Sequence, residues 1–154
     1  MNRFRFPLVL AVLAIFAACG KSDSSPAAAA GPTKEAAVQT LRSLQAALDA
    51  KDYDKAINFI QIPPDAKAED IKAALARIPE LQELSSQGID ILAEKGKWGK
   101  LTEVYGERGS RFAERMKVSA EDSYGLSYQS AEAGFYWDGK QFKLVRIDDI
   151  GKLR

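Results

Sequence analysis

The sequence predicts an α+β domain, with N-terminal helices packed on a C-terminal antiparallel sheet. Three observations predict it. Apolar residues from Val38 to Leu92 recur three or four positions apart, the period of a helix with one buried face. From Tyr124 the spacing changes, and Tyr124, Leu126 and Tyr128 alternate with Gly125, Ser127 and Gln129, the period of a strand. Asp138-Gly139 then supplies a hairpin signal, because a two-residue turn needs positive φ at both positions.

Thr33 follows Pro32 and is placed to cap the first helix. Val38, Leu41, Leu44 and Leu48, with Ala37 beside them, form its buried stripe. A tight junction at Ala50 to Asp52 separates it from a second helix carrying Tyr53, Ala56, Ile57 and Ile60. Pro63-Pro64 ends that helix, since proline lacks the amide donor. A third helix starts at Asp65 or Ala68 and presents Ile71, Leu75 and Ile78. Pro79 closes it and suits the first position of a fourth, which runs through Leu81, Leu84, Ile91 and Leu92 to Lys95. Gly88 interrupts its middle, and Gly96 suits the left-handed position after a helix end.

The stretch from Trp98 to Lys117 fits both periods, with Leu101, Val104 and Tyr105 helical in spacing and Leu101, Glu103 and Tyr105 alternating. Short helices are the expectation there. Ser119 to Asp122 has the composition of a capped turn. A two-residue turn at Asp138-Gly139 would pair Phe135 with Phe142 and Ala133 with Leu144. Trp137 would then share their face, and Tyr136, Gln141 and Lys143 the other.

Ahead of this domain lies a different kind of sequence. Arg3 and Arg5 precede Pro7 to Ala18, an uncharged apolar run of 12 residues. A spanning helix needs about 20, so the run fits the apolar core of a signal peptide. It ends in Phe16-Ala17-Ala18-Cys19, which resembles the lipobox of bacterial lipoproteins, with Phe16 where the family usually has Leu. The resemblance implies cleavage between Ala18 and Cys19, a diacylglycerol on the Cys19 sulfur and a palmitate-type acyl group on its new amino terminus. Gly20, rather than Asp, follows the cysteine. In a Gram-negative envelope that implies an outer-membrane address facing the periplasm. Gly20 to Pro32 is 13 small, polar or proline residues, a tether unable to build a core. The expected organisation is signal peptide 1–18, lipidated cysteine and tether 19–32, and one globular domain 33–154.

Two segments of the domain are similar to small NTF2-like domains of bacterial lipoproteins. One is Leu48-Asp49-Ala50-Lys51-Asp52-Tyr53-Asp54-Lys55-Ala56, a helix, kink and helix. The other is Trp137-Asp138-Gly139-Lys140-Gln141-Phe142-Lys143-Leu144, with Phe142 where the family often has Trp. The resemblance implies a longer curved sheet. It also implies either a pocket enzyme or a non-catalytic binding domain. Catalytic members commonly use an Asp–His pair, and this sequence has no histidine.

Composition narrows the chemistry. The chain carries 22 basic and 21 acidic residues, and without Arg3 and Arg5 the mature part is −1. Nucleic-acid binding, which calls for a strongly basic domain, is not expected. With no histidine and Cys19 as the lone cysteine, the domain holds no thiol or imidazole for metal ligation or nucleophile activation. No catalytic residue, metal site or cofactor is expected.

Nine of the 14 aromatic residues lie from Trp98 onward, the composition of a sheet core or of an apolar pocket. Tyr124 and Tyr128 are the candidate pocket residues, since a buried hydroxyl needs a polar partner. Arg108, Arg111 and Arg115 would share a helix face able to meet anionic headgroups or an acidic partner, with Glu103, Glu107 and Glu114 near enough to offset it. Asp148 and Asp149 are paired carboxylates at a chain end, and Lys143 to Arg146 is strand surface. Three functions fit: a membrane-anchored lipoprotein whose domain binds a protein partner or small ligand, an NTF2-like pocket enzyme using Asp and Tyr, or a structural envelope lipoprotein.

Overall fold

A computed structural model describes residues 31–154. The expected signal peptide, the expected cleavage and lipidation site at Ala18 and Cys19, and most of the expected tether lie outside the described residues. The domain is α+β: helices first, then an antiparallel sheet of four strands, each paired with the next in the chain.

Helix α1 spans Lys34–Asp49. Thr33 caps it in extended conformation, its hydroxyl accepting from the Ala36 amide at 3.2 Å. Ala37, Val38, Leu41, Leu44 and Ala47 are buried along one stripe, so the periodicity of the sequence is the packing face. The chain then reverses on Lys51, which is left-handed (φ 55°). Asp52 caps α2, Tyr53–Ala56, by accepting from the Lys55 amide. A 3-10 turn, Ile57–Phe59, follows. Beyond it Ile60 makes a parallel bridge to Leu144, with the Gln61 amide donating to the Leu144 carbonyl.

Helix α3 is Ala68–Leu75. The expected fourth helix is two. Pro79 opens α4, Pro79–Gln82, and Ser85 caps a separate α5, Ser86–Lys95, by accepting from the Gly88 amide. The break falls at residues 83–85 rather than at Gly88. That glycine lies inside α5, where it lets the helix approach the backbone of Ile150. Gly96 also differs from expectation: it is extended (φ −68°, ψ 135°), not left-handed. A Cβ there would lie 2.3 Å from the Leu92 carbonyl oxygen and 2.7 Å from Leu126 Cδ1, so close approach to the end of α5 and to the sheet, not a left-handed turn, explains the glycine.

The ambiguous stretch is a strand followed by two helices. β1 is Lys97–Lys100, α6 Leu101–Tyr105 and α7 Glu107–Met116. Helices where the NTF2-like resemblance implies a longer curved sheet are a departure from it. Gly106 joins them at φ 59°, ψ −139°, a conformation open to glycine. Next comes the expected turn, in which Ser119 Oγ accepts from the Asp122 amide. β2 (Ser123–Tyr128), β3 (Ala131–Trp137) and β4 (Phe142–Asp148) complete the sheet.

The last hairpin is real, but its register differs from expectation. Trp137 pairs with Phe142 and Phe135 with Leu144. The loop is therefore four residues, Asp138 to Gln141. Asp138 Oδ1 accepts from the amides of Lys140 and Gln141, and the Asp138 amide donates to the Gln141 carbonyl. A shift of two residues preserves every face, because strand side chains alternate with period 2. A bulge at Gly134/Phe135 then moves the partner of Ala133 to Ile147 rather than Leu144.

The two sheet faces have different covers. On one face Leu126, Ala133, Phe135, Phe142 and Leu144 are buried with Leu41, Leu44, Ile89 and Leu92 from α1 and α5. Fully burying a side chain of this size contributes about 1.5–3 kcal/mol. The other face carries a row of glycines, Gly99, Gly125 and Gly134, paired in register across β1, β2 and β3. Leu101, Val104 and Tyr105 of α6 lie directly on that row. Among the described residues no helix is long and apolar enough to cross a membrane.

Candidate functional site

Tyr124 and Tyr128 share the α1 side of β2, and strand geometry places them about 13 Å apart along it. Tyr124 stacks on Trp98, with ring centroids 5.3 Å apart and planes 7° from parallel. It meets Phe142 edge-on at 5.6 Å, and its hydroxyl accepts from Lys100 Nζ at 2.7 Å. These rings and the lysine occupy the space around it. Tyr128 pairs with Ala131, and the Lys95 ammonium stands 5.9 Å from its ring centre. The structure therefore places the two tyrosines at opposite ends of one strand and does not bring them together.

What it does bring together lies on the other face. A narrow cleft of about 20 Å³ is lined by Leu101, Tyr105, Arg108, Phe112, Glu132 and Arg146. That is room for one water molecule. Glu132, 15% exposed, sits between two arginines: Arg108 Nη2 approaches Oε1 at 2.6 Å and Arg146 Nε approaches Oε2 at 3.2 Å. Arg146 also donates to Asp148 at 3.1 Å. The four charges alternate in sign across the end of the sheet and cancel.

Tyr105 forms the floor. Its hydroxyl lies 3.1 Å from the Leu126 carbonyl and 3.0 Å from the Ala133 carbonyl, with one proton to share between them. Burial pushes its phenol well above the ordinary range, and the negative charge of Glu132 adds to the shift. A phenol held neutral donates a hydrogen bond and does not serve as a base near neutral pH. The cleft thus has the chemistry of a fixed polar contact surface rather than of an activated nucleophile.

Most of the remaining candidates resolve into ion pairs. Arg108 leaves the proposed arginine face to pair with Glu132, and Arg111 pairs with Glu107 one turn away at 2.8 Å. Arg115 is exposed on the same side of α7. Asp148 and Asp149 do not act as a pair: Asp148 faces Arg146, while Asp149 receives Lys152 Nζ at 2.5 Å. The Lys152 hydrogen bond holds the Asp149 carboxyl below its usual range. Lys143 donates to the Asn58 carbonyl and stands 3.9 Å from Asp138. Among the described residues no group of three or more His, Cys, Asp or Glu is placed to hold a metal ion.

Sequence reasoning missed Glu132 and Tyr105. Glu132 had one available signal: alternation puts it on the face opposite Ala133 and Phe135. Its two partners lie 24 and 14 residues away, beyond any local pattern. Comparison with family models, with curated proteins and with solved structures found no match to this chain.

Proposed function

We propose that this chain is a bacterial envelope lipoprotein, anchored through Cys19, whose folded domain is a non-catalytic binding module. The observation that carries the reading is the order of segments at the amino terminus. Two arginines, a 12-residue apolar run and Ala17-Ala18-Cys19 precede 13 residues of tether, and the domain begins with the Thr33 cap. Two or more acyl chains hold a protein stably at a bilayer, whereas one does not. The tether would keep the domain within about 45 Å of the surface, and within about 20 Å on average. In a Gram-negative cell the proposed address is the outer membrane, facing the periplasm.

The binding reading is supported by the chemistry of the domain. Its one strongly shifted phenol, among the described residues, is held neutral between two carbonyls. The side chains of Arg108, Glu132, Arg146 and Asp148 present a charge-balanced surface beside Phe112. Such a surface suits recognition of a protein partner or a small polar ligand.

In-cell photo-crosslinking of the lipidated protein tests the reading. Probes at Arg111, Tyr128 and Lys143 sample three regions of the surface. One envelope protein enriched at one probe, and lost in the Cys19→Ser variant, is the expected result. Uniform background at all three probes in a protein that is expressed and acylated would contradict it.

A further inference from the structure

We propose that the end of the domain where the tether enters is a docking face for anionic lipid headgroups. The inference rests on the lipoprotein reading above and adds the orientation of the domain on its membrane. It starts from three lysines at one end of the domain. Lys34, in the first turn of α1, donates through Nζ to the Gly96 carbonyl at 2.9 Å. Lys95 and Lys97 flank that same glycine, both exposed. One lysine from the start of α1 therefore reaches the segment that joins α5 to β1, where Lys95 lies on the Tyr128 side of the sheet and Lys97 on the other. Tyr128, half-buried, lies beside Lys95. Aromatic rings with a polar tip suit the headgroup layer.

The chain outside the described residues explains why this end faces lipid. Lys34 directly follows the cap residue Thr33, so the tether from Cys19 enters the domain at the lysine cluster. A tether of 13 residues attached to the opposite end would leave the lysines pointing away from the bilayer. Attached here, it makes theirs the end of the domain nearest the anchor. Each basic residue close to an anionic surface strengthens attachment about fivefold. Glu35 and Glu94 adjoin Lys34 and Lys95 in sequence but are turned about 100° away along their helices. Lys97 pairs in register with Ser127, and Ser127 with Glu132. Glu132 lies about 10 Å from Lys97 across the sheet and is occupied by Arg108 and Arg146. The arginines of α7 are not part of this face, since Arg108 and Arg111 are already paired.

Amine labelling of the mature lipidated protein in vesicles tests the orientation. The vesicles are phosphatidylcholine with or without phosphatidylglycerol, the reagent is membrane-impermeant, and mass spectrometry reads each lysine. Lys51 and Lys140 serve as references. Lys51 follows the far end of the 16-residue α1, and Lys140 lies in the β3–β4 loop at the opposite end of the sheet. With phosphatidylglycerol, Lys34, Lys95 and Lys97 should label about fivefold more slowly relative to the references. High salt should abolish the difference. Lys97→Gln, at an exposed position, should reduce protection of Lys34 and Lys95 while leaving flotation intact. Equal labelling in both vesicle types, with acylated protein floating in both, overturns the docking face and leaves the lipoprotein reading standing. Protection seen in cells but absent on phosphatidylglycerol assigns the face to an acidic protein instead and also overturns it. A mature protein without acyl mass that floats with neither vesicle removes the lipoprotein reading, and this inference with it.

Discussion

Tyr105 shows how one side chain holds two layers together. Its ring lies on the glycine row and its hydroxyl faces two sheet carbonyls. Tyr105→Phe keeps the ring and removes the donor, so we expect a loss of about 1–3 kcal/mol in urea unfolding at pH 7. The phenol pKa is raised in the folded state. The stability due to its neutral form is therefore complete below the unfolded value of about 10 and is lost as pH rises above it. Unfolding from pH 8 to 11 should show the gap between wild type and Tyr105→Phe narrowing above pH 10. A gap constant across that range would mean that the phenol is not held neutral by the fold. Glu132 is the second such residue. Glu132→Gln leaves Arg108 and Arg146 facing a neutral amide at a site 15% exposed. The expected cost is about 1–2 kcal/mol, between an exposed and a buried ion pair. Combining it with Arg108→Ala should cost less than the two changes added separately.

At the scale of elements, α6 depends on the glycines beneath it. A Cβ on Gly125 would stand 2.8 Å from the Tyr105 ring and 2.9 Å from Val104 Cβ. Gly125→Ala should therefore push α6 off the sheet at a cost of about 1–3 kcal/mol. Tryptophan fluorescence and urea midpoints would register both changes, and an unchanged midpoint would contradict close packing at this row. The same glycines explain what the sequence did and did not disclose. Helix α1 was legible because Thr33 and the stripe from Ala37 to Leu44 are local signals. The faces of β2, β3 and β4 were legible because alternation is local too. The strand at Lys97–Lys100 was not: four residues with Trp98 alone apolar carry no alternation, and the partner strand is 23 or more residues on. The hairpin register failed because Asp138 uses its carboxylate to close a four-residue loop instead of a two-residue turn. Gly96 misled for a related reason, since its missing side chain serves close approach to the Leu92 carbonyl and Leu126 rather than a left-handed backbone.

For the whole molecule, the domain supplies a two-faced sheet, and the address is the one proposed for the amino terminus. The buried face joins α1 and α5 to the strands through Leu41, Leu44, Leu126 and Phe135, and it carries the stability. The opposite face and the sheet ends carry the charge pattern, with Glu132 and its arginines at one site and the lysines around Gly96 at another. Neither site could be read from the sequence, because each gathers residues from three separate elements. The proposed anchor rests on the opposite kind of signal, since a signal segment and cleavage site are a linear stretch. Everything proposed about partner and orientation depends on whether that stretch is processed. The direct measurement is the intact mass of the mature protein from its native envelope, with amino-terminal peptide sequencing by mass spectrometry. The account predicts a chain beginning at Cys19 and carrying the mass of a diacylglycerol and a further acyl group. A mature chain beginning elsewhere, or beginning at Cys19 with a free thiol, would contradict it.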